Sequence, residues 1–228
     1  MAPAAGQEGG RHKAMIDARM FTVGPVQENC YFVRRAGADV AVVVDPGDEA
    51  ARLLDAKDAL GIKTIDAILI THCHFDHVGA VKALHDATGA PVYVPVLERD
   101  WLANIDAYTP PGFGPFERYQ ADHTVAGGET LELADLTFDV RFTPGHSPGH
   151  VTYSVQGEDA LFSGDVLFQG SVGRVDLLGG DWATLASSIE SLIDEFPAQA
   201  TVYPGHMGVT TLGNERATNP FLRELSHS

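Results

Sequence analysis

Thr71-His72-Cys73-His74-Phe75-Asp76-His77-Val78-Gly79 packs three histidines and an aspartate into positions 72 to 77. It follows an apolar run, Ala67-Ile68-Leu69-Ile70, that predicts a buried strand over 66–71, and it precedes a helical pattern over 78–88. The four polar groups therefore fall at a strand end, on the rim of a sheet. Neutral imidazole nitrogen and carboxylate oxygen are the donors that divalent ions such as zinc accept. Four of them exceed what one ion takes from one loop, so the segment points to two ions. A solvated loop would carry Lys and Glu, and this one has neither. A satisfied core histidine accounts for one such position but not for three. Side chains alternate along extended backbone, which turns Cys73 away from its histidine neighbours and makes it a small buried residue.

Upstream, three β-rich runs open the chain at 19–23, 30–34 and 40–44. The last, Val40-Ala41-Val42-Val43-Val44, predicts a strand buried on both faces. Asp45-Pro46-Gly47-Asp48 then turns the chain into a helix over 49–60. Downstream of the His-rich run comes a strand at 92–94, then a less regular stretch over 98–121. Its Pro110-Pro111-Gly112-Phe113-Gly114-Pro115 reads as an exposed loop, a plain connection rather than a lid. Strands follow at 130–133, 136–142, 151–156 and 159–163, then a helix at 182–194 and a strand at 201–203. Two strand-rich halves with helical returns predict two packed β-sheets with helices outside. No linker separates the halves, so residues 15–228 read as one domain, after a disordered N-terminal extension over 1–14.

No apolar stretch reaches the roughly 18 residues a membrane span requires. The Ala/Gly/Pro-rich start has no apolar core of a signal peptide, so a cytoplasmic location and free thiols at Cys30 and Cys73 are expected. Fifteen Lys and Arg stand against 31 Asp and Glu, a formal net charge of −16. That balance, with no basic run, argues against a nucleic-acid partner, because phosphate neutralisation needs clustered cations. It reads more simply as a solubility feature. Nothing in the sequence speaks to oligomeric state.

Three further clusters end predicted strands: Thr143-Pro144-Gly145-His146-Ser147-Pro148-Gly149-His150, Ser163-Gly164-Asp165 and Tyr203-Pro204-Gly205-His206. In each, small residues or proline turn the chain sharply and let its backbone approach a crowded centre. Pro-Gly-His alone is a common turn. Four such clusters at strand ends are not a coincidence.

The order His-x-His-x-Asp-His, then His, Asp and His, resembles the metallo-β-lactamase-fold hydrolase superfamily from the Asp45-Pro-Gly turn to His206. The resemblance implies an α/β fold, a four-layer αβ/βα sandwich of two mixed β-sheets with helices on the outer faces and metals at one rim. It implies that His72, His74 and His146 hold one ion, that Asp76, His77 and His206 hold another, and that Asp165 bridges them. Asp45 would either orient a ligand imidazole or cap the following helix. His150 would be structural or would support the site, because the family's ligand is the first histidine of the pair. His12, His85, His123 and His227 read as surface residues.

Gly164-Asp165-Val-Leu-Phe168 and Gly173-Arg174-Val-Asp176 are similar to glyoxalase II-like thioesterases and to persulfide dioxygenases. Glu215-Arg-Ala-Thr-Asn-Pro-Phe-Leu222 is similar to the small, hydroxyacylglutathione hydrolase-like branch. The best-known β-lactamases of the superfamily place Cys where Asp165 stands, and its nucleases carry a large inserted domain. The implied activity is hydrolysis of an S-acyl thiol conjugate by a hydroxide bridging two divalent ions. Zinc is the foremost choice, with iron or manganese as alternatives. Asp76 and Asp165 would serve the reaction. Arg174 would hold an anionic thiol carrier or form a salt bridge. Classical glyoxalase II adds a C-terminal helical domain with glutathione contacts, whereas this sequence closes at residue 228, soon after His206, so another low-molecular-weight thiol is open. The rival activity is a mononuclear non-haem iron persulfide dioxygenase, with His72, His146 and Asp165 as its triad. A non-catalytic metal-binding protein is disfavoured, because no ligand position is lost.

Overall fold

The computed structural model of the chain describes residues 16–225, with side chains to residue 223. The expected extension over 1–14, His12 and His227 lie outside them. Alternation of side chains along the first strands builds the layers. In β1 (Ile16–Val23), β2 (Glu28–Arg35), β3 (Val40–Val44) and β4 (Thr64–Leu69), buried residues point alternately to two different cores. Phe32, Ala41, Val43 and Ile68 face an outer core with Leu53, Val81 and Leu84. Their neighbours Tyr31, Val33, Val42, Val44, Ala67 and Leu69 face an inner core with Phe138, Val140, Tyr153 and Phe162. The valine run of β3 is thus buried on both faces, each apolar side chain contributing about 1.5–3 kcal/mol.

Leu53 lies on helix α1 (Ala50–Ala59). The His-rich run carries a single-turn α2 (Phe75–Val78), and Val81 and Leu84 belong to α3 (Val81–Thr88). The chain continues through β5 (Val92–Pro95), the short α4 (Arg99–Ala103) and β6 (His123–Val125). The first sheet runs in order from β1 to β6, antiparallel to β3 and parallel beyond it. The second contains β7 (Thr130–Leu133), β8 (Leu136–Phe142), β9 (Val151–Val155), β10 (Ala160–Gly164), β13 (Thr201–Pro204) and β14 (Thr210–Thr211). Between β10 and β13 lie the hairpin β11 (Leu167–Phe168) and β12 (Ser171–Val172) and helix α5 (Trp182–Glu195). Helices α6 (Leu212–Thr218) and α7 (Pro220–Leu225) complete the described chain.

A third core packs Leu161 and Val202, on the outer face of the second sheet, against Leu185, Ile189, Leu212 and Leu222. The order is helix, sheet, sheet, helix, as the resemblance implied. One expectation is corrected. The helix over 78–88 is two pieces, broken at Gly79 and Ala80, and its first turn already carries Asp76 and His77. The Pro110–Pro115 loop is exposed, and Phe113 and Phe116 pack on Phe75, with ring centroids 4.6 and 5.8 Å apart. Among the described residues no helix is long and apolar enough to cross a membrane.

Candidate metal centre

Strand ends from both sheets converge on one rim. From the first sheet, β4 delivers His72 and His74, α2 delivers Asp76 and His77, and β3 delivers Asp45. From the second, the turn after β8 delivers His146, β10 delivers Asp165 and β13 delivers His206. His72, His74 and His146 bring one nitrogen each within 4.8 Å of one another, and so do the donor atoms of Asp76, His77 and His206. Asp165 touches both groups. Its Oδ1 lies 3.3 Å from His77 Nε2, and its Oδ2 lies 3.4 Å from His146 Nε2 and 3.6 Å from His206 Nε2. His72, His77, His146 and Asp165 are buried; His74, Asp76 and His206 are half-buried and form the mouth.

The hydrogen bonds fix which nitrogens face inward. His77 Nδ1 donates to Asp45 Oδ2 at 2.9 Å, and His146 Nδ1 donates to the Arg174 carbonyl at 2.7 Å. His206 Nδ1 lies 3.3 Å from the Gln27 carbonyl. Each contact turns Nε2 towards the centre. His72 Nε2, His77 Nε2 and Asp165 Oδ1 are buried with no hydrogen-bond partner among the described residues. Orphaned buried polar atoms cost about 1–3 kcal/mol each. Three of them facing one space fit a cation, and the nitrogen-rich donor set suits zinc or iron.

Electrostatics divide the two groups. Burial, reinforced by the surrounding imidazoles, pushes the His72 pKa well below its usual value and that of His74 to about 3. Both are therefore neutral, the ligand-competent form. Burial also opposes a charge on His77, but Asp165, Asp76 and Asp45 outweigh it and hold that imidazole well above the ordinary histidine range. Asp165 resists its own burial through His77, His146 and His206, and stays ionised.

The Metallo-beta-lactamase superfamily description matches residues 23–206. The chain belongs to that superfamily. Among curated relatives it is 38% identical to "Probable metallo-hydrolase YqgX" of Bacillus subtilis, over 91% of this chain and 98% of that one. It is 33% identical to "Hydroxyacylglutathione hydrolase GloC" of Haemophilus influenzae, over 92% and 100%. Of solved structures, the BLEG-1 B3 metallo-beta-lactamase superposes with TM-score 0.84 at 41% identity, covering 91% of this chain and 99% of that one. TTHA1623 in a di-iron-bound form superposes at 0.76 with 40% identity, covering 90% and 100%.

Several supports of this metallo-beta-lactamase rim were legible only in space. Asp45 does not cap α1, whose N-cap is Glu49. Its carboxylate accepts from Thr71 N, Thr71 Oγ1 and His77 Nδ1 at 2.7, 2.6 and 2.9 Å, so it orients the His77 ring. Its backbone, at φ 49°, takes the left-handed conformation that aspartate tolerates. His150 Nε2 accepts the Asp165 N–H at 3.0 Å, so its proton is on Nδ1, facing Thr143 Oγ1. Burial and the neighbouring imidazoles keep it neutral. Cys73 is buried in the outer core, and His123 is exposed. His85 is not a free surface residue: it is half-buried between the Ala90 carbonyl and the Tyr119 hydroxyl.

Sequence reasoning missed Glu28, Asn29 and Glu98. Glu28 is fully buried, 3.7 Å from His77 Nδ1. Burial first, then Asp45, Asp76 and Asp165, raise its pKa against the pull of His77. Its one signal was a polar Glu-Asn pair heading an otherwise apolar strand. Glu98 had none, since Glu98-Arg99-Asp100 reads as ordinary surface.

Arg174 contributes through its backbone. Its guanidinium is 62% exposed and pairs with Asp176 at 2.6 Å, while its carbonyl orients His146. Exposed pairs of this kind contribute about 0–1 kcal/mol. Arg174→Ala keeps the carbonyl, so kcat/KM should stay within about fivefold of wild type. Steady-state kinetics check this, and a larger fall would assign the side chain to substrate.

An ion held by residues of both sheets would also stabilise the fold. At 100 times Kd the contribution is about 2.7 kcal/mol. Chelation should therefore lower the melting temperature by about 5–10 °C, read by calorimetry before and after dialysis against EDTA and restored by zinc.

Proposed function

We propose that this chain is a dinuclear metal-dependent hydrolase that cleaves thioesters of a low-molecular-weight thiol. The observation that carries the reading is Asp165, whose two oxygens face members of both ligand groups. His72, His74 and His146 would hold one divalent ion, Asp76, His77 and His206 the other, and Asp165 would join them. Such a pair lowers the pKa of a bound water towards 7 and polarises a carbonyl oxygen.

The residues of the chain then do three things. Asp45 and the Arg174 carbonyl fix the rings of His77 and His146, so that their Nε2 lone pairs cannot turn away. Asp76, half-buried at the mouth beside His206 Nε2 at 3.3 Å, lies where it can orient the attacking water. Trp101, buried in the outer core, stacks on His74 with 5.9 Å between ring centroids, and Tyr108 stacks on Trp101 at 4.8 Å, so the two rings brace His74 in place.

Both carboxylates facing the centre are engaged as ligands, which leaves neither free to protonate a departing amine. A thiolate leaves without such help, and this favours a thioester over an amide or lactam. The 33% identity to a hydroxyacylglutathione hydrolase agrees. Zinc is the proposed ion, with iron as the alternative that the di-iron relative suggests.

The test combines metal analysis of the purified protein with three assays: S-lactoylglutathione hydrolysis, cleavage of a chromogenic cephalosporin, and oxygen uptake with glutathione persulfide. Two equivalents of metal with thioester turnover is the expected result. One iron with oxygen consumption would overturn the reading, and lactam cleavage without thioester turnover would overturn its substrate.

A further inference from the structure

Glu98 ends the 3-10 turn Val96–Glu98 after β5, on the first sheet, and its side chain is fully buried. Its two carboxylate oxygens serve different loops. Oε2 accepts the backbone N–H of Cys73 at 2.6 Å, and Oε1 accepts that of Gly149 at 2.7 Å. Cys73 lies between His72 and His74, and Gly149 lies on the same turn as His146. One carboxylate therefore ties a first-sheet loop to a second-sheet loop, through two bonds in the short, charge-assisted range.

The approach requires glycine at the far end. A Cβ on Gly149 would sit 2.8 Å from Glu98 Cγ and 3.1 Å from its Oε1. The second ligand group hangs on other supports. Asp45 holds His77, and Asn29 pins the turn carrying His206 through the Pro204 and Met207 carbonyls at 3.1 and 2.8 Å. Asn29 N also donates to the Gly205 carbonyl at 2.7 Å.

We infer that Glu98 is a positioning residue for the first ion site, setting the spacing between His72 and His74 on one loop and His146 on the other. The inference rests on the two-ion reading. A carboxylate that merely satisfied two buried N–H groups would change stability alone. A clamp across one ligand group changes the affinity of one ion and not the other.

The experiment is a cobalt(II) titration followed by its visible absorption, with His146→Ala and His206→Ala marking which binding step belongs to which site. Glu98→Gln presents an amide donor to one of the two N–H groups. It should weaken the step lost in His146→Ala by about 10–100-fold and leave the other within about threefold. Gly149→Ala, which pushes the carboxylate aside, should give the same selective loss and decides the matter if Glu98→Gln does not fold. Equal weakening of both steps, or no change in either, overturns the inference. A wild type that binds a single cobalt defeats the two-ion reading instead. Glu98 is then judged on that one ion, whose affinity must still fall in both variants.

Discussion

Asp165→Ala should release both ions and lower kcat/KM by at least about a thousandfold, roughly 4 kcal/mol of transition-state stabilisation. Among the described residues no other side chain contacts members of both ligand groups with its two oxygens, and alanine offers neither. The loss is electrostatic as well as geometric. Three imidazoles and the ionised Asp165 hold one another in place, and on the proposed reading the negative charge would offset two divalent ions in a buried space. Asp165→Asn separates the contributions. It keeps the shape and one oxygen but not the charge, so one ion should remain, weakly bound. The backbone is not at risk, because the bond from Asp165 N to His150 survives either substitution. The melting temperature of Asp165→Ala should therefore match that of chelated wild type. Metal content after gel filtration is the deciding measurement, and an alanine variant with two tightly held ions would refute the bridging role.

The site was legible because its ligands come in short local words. His72 to His77 follow the apolar run Ala67–Ile70, and His146, Asp165 and His206 each follow a short strand-like run and sit on a turn marked by glycine. Strands over 40–44, 130–133 and 136–142 have the boundaries their apolar patterns predict. What escaped notice has no local pattern. β6 is a three-residue edge strand with two exposed residues, and β14 has only two residues.

Helices α6 and α7 lack a clear apolar period and are held by tertiary bonds instead. Buried Glu215 accepts from Gly170 N, Thr210 Oγ1, Asn214 Nδ2 and Asn219 Nδ2, and Asn219 Nδ2 also reaches the Ser171 carbonyl at 2.9 Å. The Glu215–Leu222 signature thus has a physical meaning: it locks the C-terminal helices onto the hairpin that follows Asp165. Glu98 was invisible for the same reason, since both its partners are backbone groups distant in sequence.

The turn glycines were read as enabling a close approach to a crowded centre, and Gly205 shows what that requires. Its φ is not positive, so its backbone conformation alone does not exclude alanine. The exclusion is spatial. A Cβ there would lie well inside van der Waals contact of Asp165 Oδ1 and 2.7 Å from His77 Cε1, one residue of each kind that the centre depends on. Nor can the backbone retreat, because Gly205 N donates to the Gly164 carbonyl at 2.8 Å and its own carbonyl accepts from Asn29 N at 2.7 Å. Gly205→Ala must therefore push Asp165 and His77 apart. Overpacking of this kind costs about 1–3 kcal/mol of stability, and displaced ligands should weaken the second ion about a hundredfold or more, with activity falling in step. Gly61→Ala supplies the contrast: it has φ +70° with open space around it, so it carries backbone strain of about 1 kcal/mol without touching the centre. Cobalt titration and melting of the two variants separate the effects. Gly61→Ala should lose stability alone, whereas Gly205→Ala should lose stability and the second ion together. If Gly205→Ala binds both ions as wild type does, the ligand positions are set by the ions themselves and not by the packing of the turn beneath them.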